Sequence, residues 1–182
     1  MADIFFASSS EYRSAAAQIA VALRKLLPQT WSVRGWWDGS LFPAGSTVVE
    51  SLEGVPDSVE AAVVFFTPDD EITVRGTGFM SPRDNVLFEA GYFLSRFGRR
   101  RCAIARIGNV KIPGDLDGMT VLPLSDGNTA AEVSCDAEAI LAWLSQQNPN
   151  IRIKVLAEDA RKKRTSILGL APTLMPQIVT GL

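Results

Sequence analysis

Ile4 to Ala7 is a short apolar run that ends in Ser8-Ser9-Ser10-Glu11. Ser8 and Glu11 have capping-box spacing, so a helix is predicted to follow to about Leu27, where Pro28 stops it. Trp31 to Trp37 reads as a second strand. The loop "DGSLFPAGS" leads from it into a helix around Thr47 to Leu52. "EAAVVFFT" is a third strand, apolar on both faces as a central parallel strand should be. A long polar loop, Pro68 to Phe79, separates it from the amphipathic stretch "SPRDNVLFEAGYFLSRFGRRR". Arg101 to Arg106 gives a fourth strand and Met119 to Leu122 a weak fifth. A helix from about Ala130 to Ser145 closes the pattern.

Strands alternating with helices predict an open, doubly wound α/β sheet of about five parallel strands. In such sheets ligands bind outside the carboxyl ends of the strands, where strand order reverses. The domain is expected to span residues 1–148. Beyond it, "IRIKVLAEDARKKR" suits a charged helix, whereas "TSILGLAPTLMPQIVTGL" is uncharged and twice interrupted by proline. Residues 149–182 are therefore expected to form a tail that packs on something, such as a neighbouring domain or chain.

Composition narrows the chemistry. The 182 residues are 47% hydrophobic and 21% charged with a formal net charge of −2, which describes a soluble globular chain without a nucleic-acid surface. No apolar run is long enough to span a bilayer, and "MADIFF" lacks the basic segment of a signal peptide. The two cysteines, Cys102 and Cys135, lack metal spacing and fit reduced thiols in a cytoplasm. There is no histidine. A Ser-His-Asp or Cys-His mechanism is thus excluded, and no metal site is expected.

The stretch from Ser81 to Arg101 concentrates the remaining interest. Ser81-Pro82-Arg83-Asp84 is a helix start signal, with Ser81 as N-cap and Pro82 at the first helical position; Gly98 is the natural stop. At about 100° per residue, Val86, Leu87, Ala90, Phe93, Leu94 and Phe97 share one apolar face. Glu89 falls just outside it, grouped with Asn85 and Arg96, while Phe88 and Tyr92 lie on its far side. A glutamate in such a seam is usually solvated. Gly91, in mid-helix, costs about 1 kcal/mol relative to alanine, which close packing or a ligand would explain.

"RDNVLFEAGYFLSRFGRRRC", preceded by "WWDGSLFPAGSTVVESLEGVPDSVEAAVVFFTPDD", resembles the bacterial TIR-like, predicted nucleotide-binding family. This branch of the TIR fold occurs in effectors of cyclic-nucleotide anti-phage defence such as TIR-STING proteins. The likeness runs from about Asp3 to Leu144. It implies a flavodoxin-like sheet and hydrolysis of NAD+, as substrate rather than cofactor, to nicotinamide and ADP-ribose. Glu89 matches the family's catalytic glutamate, and "WWDGSLFPAG" matches the mobile loop that shapes the cleft and contacts neighbouring subunits. The resemblance also implies self-association, and a cyclic-nucleotide sensor supplied by a further domain or a partner.

Around Glu89 the candidate substrate-binding residues are Ser8, Ser9, Trp37, Asp38, Phe42, Arg83 and Asn85. Ser8 and Ser9 end the first strand, where a phosphate or ribose would meet a helix N-terminus; they equally suit a plain helix cap. Trp37 and Phe42 are placed to stack on adenine or nicotinamide, or to join the core. Asp38 faces the cleft or starts a turn. Arg83 meets a pyrophosphate or is an exposed first-turn side chain. The Arg99-Arg100-Arg101 run reads as a solvated corner. Two rivals stand beside the enzymatic reading. One is a non-catalytic TIR module that self-associates through exposed Phe88 and Phe42. The other is a nucleoside deoxyribosyltransferase, which "FEAGYF" also resembles, although Phe6 is followed by Ala-Ser-Ser-Ser rather than an aspartate-rich strand end.

Overall fold

Alternation along the first strand sets the layering. In β1 (Ala2–Ala7), Ile4 and Phe6 are buried on one side of the sheet, and Phe5 and Ala7 on the other. The structure, a computed structural model, describes residues 2–39, 41 and 47–148. Phe42 and the expected tail at 149–182 lie outside the described residues. β1 is followed by α1 (Arg13–Leu26), β2 (Trp31–Gly35), α2 (Val48–Ser58) and β3 (Ala61–Phe66). Then come β4 (Asp70–Val74), β5 (Thr77–Ser81), α3 (Asp84–Phe97), β6 (Cys102–Ile107), β7 (Thr120–Leu124) and α4 (Ala130–Gln147).

Five of these strands form a parallel sheet in the order β2-β1-β3-β6-β7, the doubly wound sheet that the alternating pattern predicts and the flavodoxin-like arrangement that the family resemblance implies. Ile4 pairs with Val33 on one side and Ala61 on the other. Every residue of β3 is buried, which is why that strand shows no alternation in sequence. The helices α1 and α4 cover the face of Ile4, Phe6, Val63 and Phe65. The helices α2 and α3 cover the face of Phe5, Ala7, Val64 and Phe66. No helix among the described residues is long and apolar enough to cross a membrane.

Four local expectations differ. The polar loop at 68–79 contains instead most of a two-stranded antiparallel hairpin, β4 with β5. Its turn is Arg75-Gly76, both at positive φ (51° and 81°), the twist that a tight hairpin demands. The capping box at Ser8 does not form: α1 begins only at Arg13, and the Ser8 hydroxyl donates to the Ser9 carbonyl at 3.1 Å. The capping box at Thr47 and Glu50 does form, and α2 runs on through Pro56 to Ser58 rather than ending near Leu52. β2 stops at Gly35, short of Trp37, because the Trp37 indole folds over that glycine; a Cβ there would meet the ring at 2.3 Å.

Candidate functional site

The register of α3 is fixed from outside the helix. Ser81 pairs with Asp70 as the last residue of β5, so it belongs to the hairpin and is not an N-cap. Arg83 takes the N-cap position, and Asp84 Oδ1 accepts from the Asn85 backbone N–H at 2.7 Å. This start puts Val86, Glu89, Ala90, Phe93 and Phe97 on the buried face. Phe93 packs against Phe5 of β1 with ring centroids 5.1 Å apart, and stacks on Phe97 at 5.8 Å. Gly91 is exposed, and a methyl group at its Cβ position would meet nothing within 4 Å, so close packing does not account for it.

Glu89 is thereby drawn out of water. Only 4% of its surface is exposed, against the solvated position that its polar seam suggests. Its Oε2 is buried with no hydrogen-bond partner among the described residues. Burial pushes its carboxyl up to about 7, because the ionised form loses its hydration there. A buried carboxyl left unpaired costs stability, and such costs concentrate where a ligand is to be met.

Beside Glu89 lies a cleft of about 340 Å³ lined by Ser8, Ser9, Ser10, Glu11, Trp36, Arg83, Asn85 and Glu89. It sits past the carboxyl ends of β1 and β2, at the point where strand order reverses between β1 and β3. Ser8 and Ser9 are both buried. Trp36 Nε1–H donates to Ser8 Oγ at 3.1 Å. Ser9 Oγ donates to Asp69 Oδ1 at 3.1 Å, and Thr67 Oγ1 donates to Asp69 Oδ2 at 2.6 Å. Arg83 is half exposed and clasps Glu11 at 2.5 Å, with Asp70 at 3.9 Å.

Of the candidate residues, the structure brings Ser8, Ser9, Arg83, Asn85 and Glu89 together. Trp37 is not among them: it packs against the cluster under α1 and α4, on the opposite face of the sheet. Asp38 does not line the cleft either, and its backbone N–H donates to the Gly35 carbonyl at 2.8 Å in a turn. Trp36 occupies the position foreseen for Trp37. Strand parity carries that choice, since Phe5 pairs with Arg34, and residues 34 and 36 share the α3 side. Thr67 and Asp69 carried no signal of their own in the sequence, and Glu11 showed only its capping-box spacing.

A second hollow of about 410 Å³ opens on the α2 side of the same glutamate, lined by Val49, Leu52, Asp84, Asn85, Phe88 and Glu89. Phe88 and Val49 are exposed there by 56% and 52%. A larger groove, about 680 Å³, runs between α1 and α4 but contains none of the candidate residues. Among the described residues, no group of three His, Cys, Asp or Glu side chains is placed to hold a metal ion. The arrangement offers a poised carboxyl and several hydroxyls in a partly dry cleft, and so suits chemistry on a polar, cationic ligand.

Comparison with known proteins agrees with this fold. A family model described as the CAP12/Pycsar effector protein, TIR domain, matches residues 3–126. The chain is 32% identical to the Pycsar effector protein BcPycTIR of Burkholderia cepacia over 122 residues, 66% of this chain and 39% of that protein. It is 29% identical to CD-NTase-associated protein 12 of Niabella drilacis over 135 residues, 72% of this chain and 42% of that one. The Pycsar effector protein PaPycTIR of Pseudomonas aeruginosa shares 39% identity over 88 residues, 47% of this chain and 29% of its own. The matches thus span well under half the length of these relatives.

Proposed function

Because the chain belongs to the CAP12/Pycsar effector TIR-domain family, we propose that it cleaves the nicotinamide–ribose bond of NAD+ to give nicotinamide and ADP-ribose. The observation that carries this reading is Glu89, a buried carboxyl with an unpartnered oxygen in the wall of a cleft at the sheet's switch point. The substrate's pyridinium nitrogen is already cationic. When the glycosidic bond breaks, its electron pair neutralises that nitrogen and the positive charge passes to the ribose. Nicotinamide leaves neutral, so no general acid is needed. Water then adds to the ribosyl carbon and loses a proton. The Glu89 carboxylate stabilises the ribosyl cation and holds the sugar hydroxyls.

Ionisation links the site to its ligand. With its pKa near 7, Glu89 is only partly charged in the empty cleft at neutral pH. A cationic ring arriving beside it draws the proton off, so ligand and charge enter together. Ser8, Ser9, Trp36, Asn85 and Arg83 are the proposed binding residues. In the whole protein, this activity would serve a bacterial anti-phage effector working in a cyclic-nucleotide signalling context, as the names Pycsar effector and CD-NTase-associated protein suggest for the relatives. The sensor would be a further domain or partner.

One observation favours a second, compatible role in self-association. Phe88 and Val49 expose apolar surface around the hollow on the other side of Glu89, where a second copy would complete the cleft. The decisive experiment is incubation with NAD+ at high protein concentration, with products separated by chromatography and the Glu89→Gln variant alongside. Nicotinamide should appear, and the variant should lose at least about 100-fold in rate. Near-normal turnover by the variant would overturn the assignment; release of a free base from deoxynucleosides instead would favour the transferase reading.

A further inference from the structure

Each hydroxyl proton in the Ser8–Ser10 run is already committed inside the protein. Ser8 donates to the Ser9 carbonyl, Ser9 to Asp69 Oδ1, and Ser10 to Glu11 Oε2. The Trp36 indole N–H is taken by Ser8, and the Arg83 guanidinium is engaged by Glu11 and Asp70. Thr67, at the carboxyl end of β3, gives its proton to Asp69 Oδ2, and its Oγ lies 3.3 Å from Ser9 Oγ. An ionised carboxylate only accepts hydrogen bonds, and a hydroxyl has one proton but two lone pairs. With both protons drawn to Asp69, the Ser9 hydroxyl is left to act as an acceptor toward the cleft it lines. Glu89, whose Oε2 is buried without a partner among the described residues, lines the same cleft.

We propose that Asp69 is a positioning residue: by taking the protons of Ser9 and Thr67 it makes the cleft floor beside Glu89 an acceptor surface. That surface selects a ligand end carrying hydroxyl donors and positive charge, and rejects a phosphate. This rests on the proposed NAD+ cleavage, and it orients that substrate. The ribosyl-pyridinium end enters against Ser9 and Glu89, and the anionic end stays outside. Of the phosphate or ribose expected at Ser8 and Ser9, it keeps the ribose. α1 starts only at Arg13, so no helix N-terminus opens directly behind them. Asp69 does not touch the reacting atoms in this scheme; its effect passes through Ser9.

The test compares binding of nicotinamide riboside, a cation with vicinal hydroxyls and no phosphate, with that of its 2′,3′-dideoxy counterpart. Binding is read from the Trp36 Nε1–H resonance of the dilute chain. Wild type should prefer the riboside by about tenfold or more, the worth of one good hydrogen bond to a buried acceptor, and inorganic pyrophosphate should not compete. Asp69→Asn offers one donor and one acceptor, so it turns one hydroxyl proton back toward the cleft. The preference should fall to near parity, with pyrophosphate now competing. Ser9→Ala should do the same, and the double variant should be no worse than either single.

A structural role alone would weaken both ligands equally and leave their ratio unchanged. The inference is overturned if wild type shows no preference, if folded variants keep it, or if the two substitutions act additively. Should Asp69→Asn fail to fold, Ser9→Ala still decides by its ratio. NAD+ cleavage is assayed on the same preparations at high protein concentration. Cleavage with an unaltered preference in the variants sinks this inference alone. An Asp69-dependent preference without cleavage sinks the enzymatic reading alone.

Discussion

Replacing Glu89 by glutamine should make the protein more stable at alkaline pH while abolishing the proposed NAD+ cleavage. The carboxyl's folded-state pKa of about 7 lies above its ordinary value of 4.5. The folded protein therefore holds this proton more tightly than the unfolded chain does. The stability this confers is fully present below pH 4.5 and is lost as pH rises through 7. At about 1.4 kcal/mol per pKa unit, the difference is worth about 3 kcal/mol between about pH 4 and pH 8.5. Glutamine has the same shape and never ionises, so the variant escapes that loss.

Near pH 4 both side chains are neutral, and the two proteins should unfold within about 1 kcal/mol of each other. Near pH 8.5 the variant should exceed wild type by about 3 kcal/mol more than it does at pH 4, which for a chain of this size is roughly 6–12 °C in Tm. Any fixed cost of burying the amide is common to both conditions and cancels, as do all groups that titrate alike in both proteins. Urea melts at the two pH values measure the double difference directly. Parallel curves, with a double difference under about 0.5 kcal/mol, would mean that the carboxyl keeps its water. The account of a desolvated, poised charge would then fail, whatever the activity of the variant.

The other expectations are narrower. If the ionised form of Glu89 does the work, kcat/KM for NAD+ should rise with pH through about 7 and level off above it, and a flat profile between pH 5 and 9 would count against that role. Gly91→Ala should stabilise the protein by about 0.5–1 kcal/mol, because a methyl there meets open space in mid-helix; chemical denaturation reads this, and a loss of stability would reveal a contact at that face. Gly35→Ala should cost about 1–3 kcal/mol, since its Cβ collides with the Trp37 ring, and pairing it with Trp37→Ala should remove the clash part of that cost in a double-mutant cycle. Phe88→Asp should leave the unfolding free energy within about 0.5 kcal/mol of wild type but blunt the dependence of activity on protein concentration; unchanged concentration dependence would remove this face from self-association.

What could be read in the sequence, and what could not, divides by the range of the forces involved. The central strands were legible because burial on both sides leaves β3 no polar residue to show, and the flanking glycines, prolines and polar loops bound it. The hairpin of β4 and β5 was not, because most of its residues face water and its turn is Arg-Gly rather than a strong turn pair. Missing it misplaced the cap of α3: local chemistry favours Ser81 as N-cap, but pairing with Asp70 claims that residue for the strand. Glu89 could be located by its helical spacing, yet its burial could not, since this depends on the Ser8–Glu11 turn and Trp36 arriving from β1 and β2. Pieces distant in sequence wall the cleft beside the carboxyl, so its surroundings are complete only once the sheet is assembled. Any substitution that loosens the packing of Phe93 on Phe5 should therefore return the Glu89 pKa toward 4.5, in proportion to the water it admits.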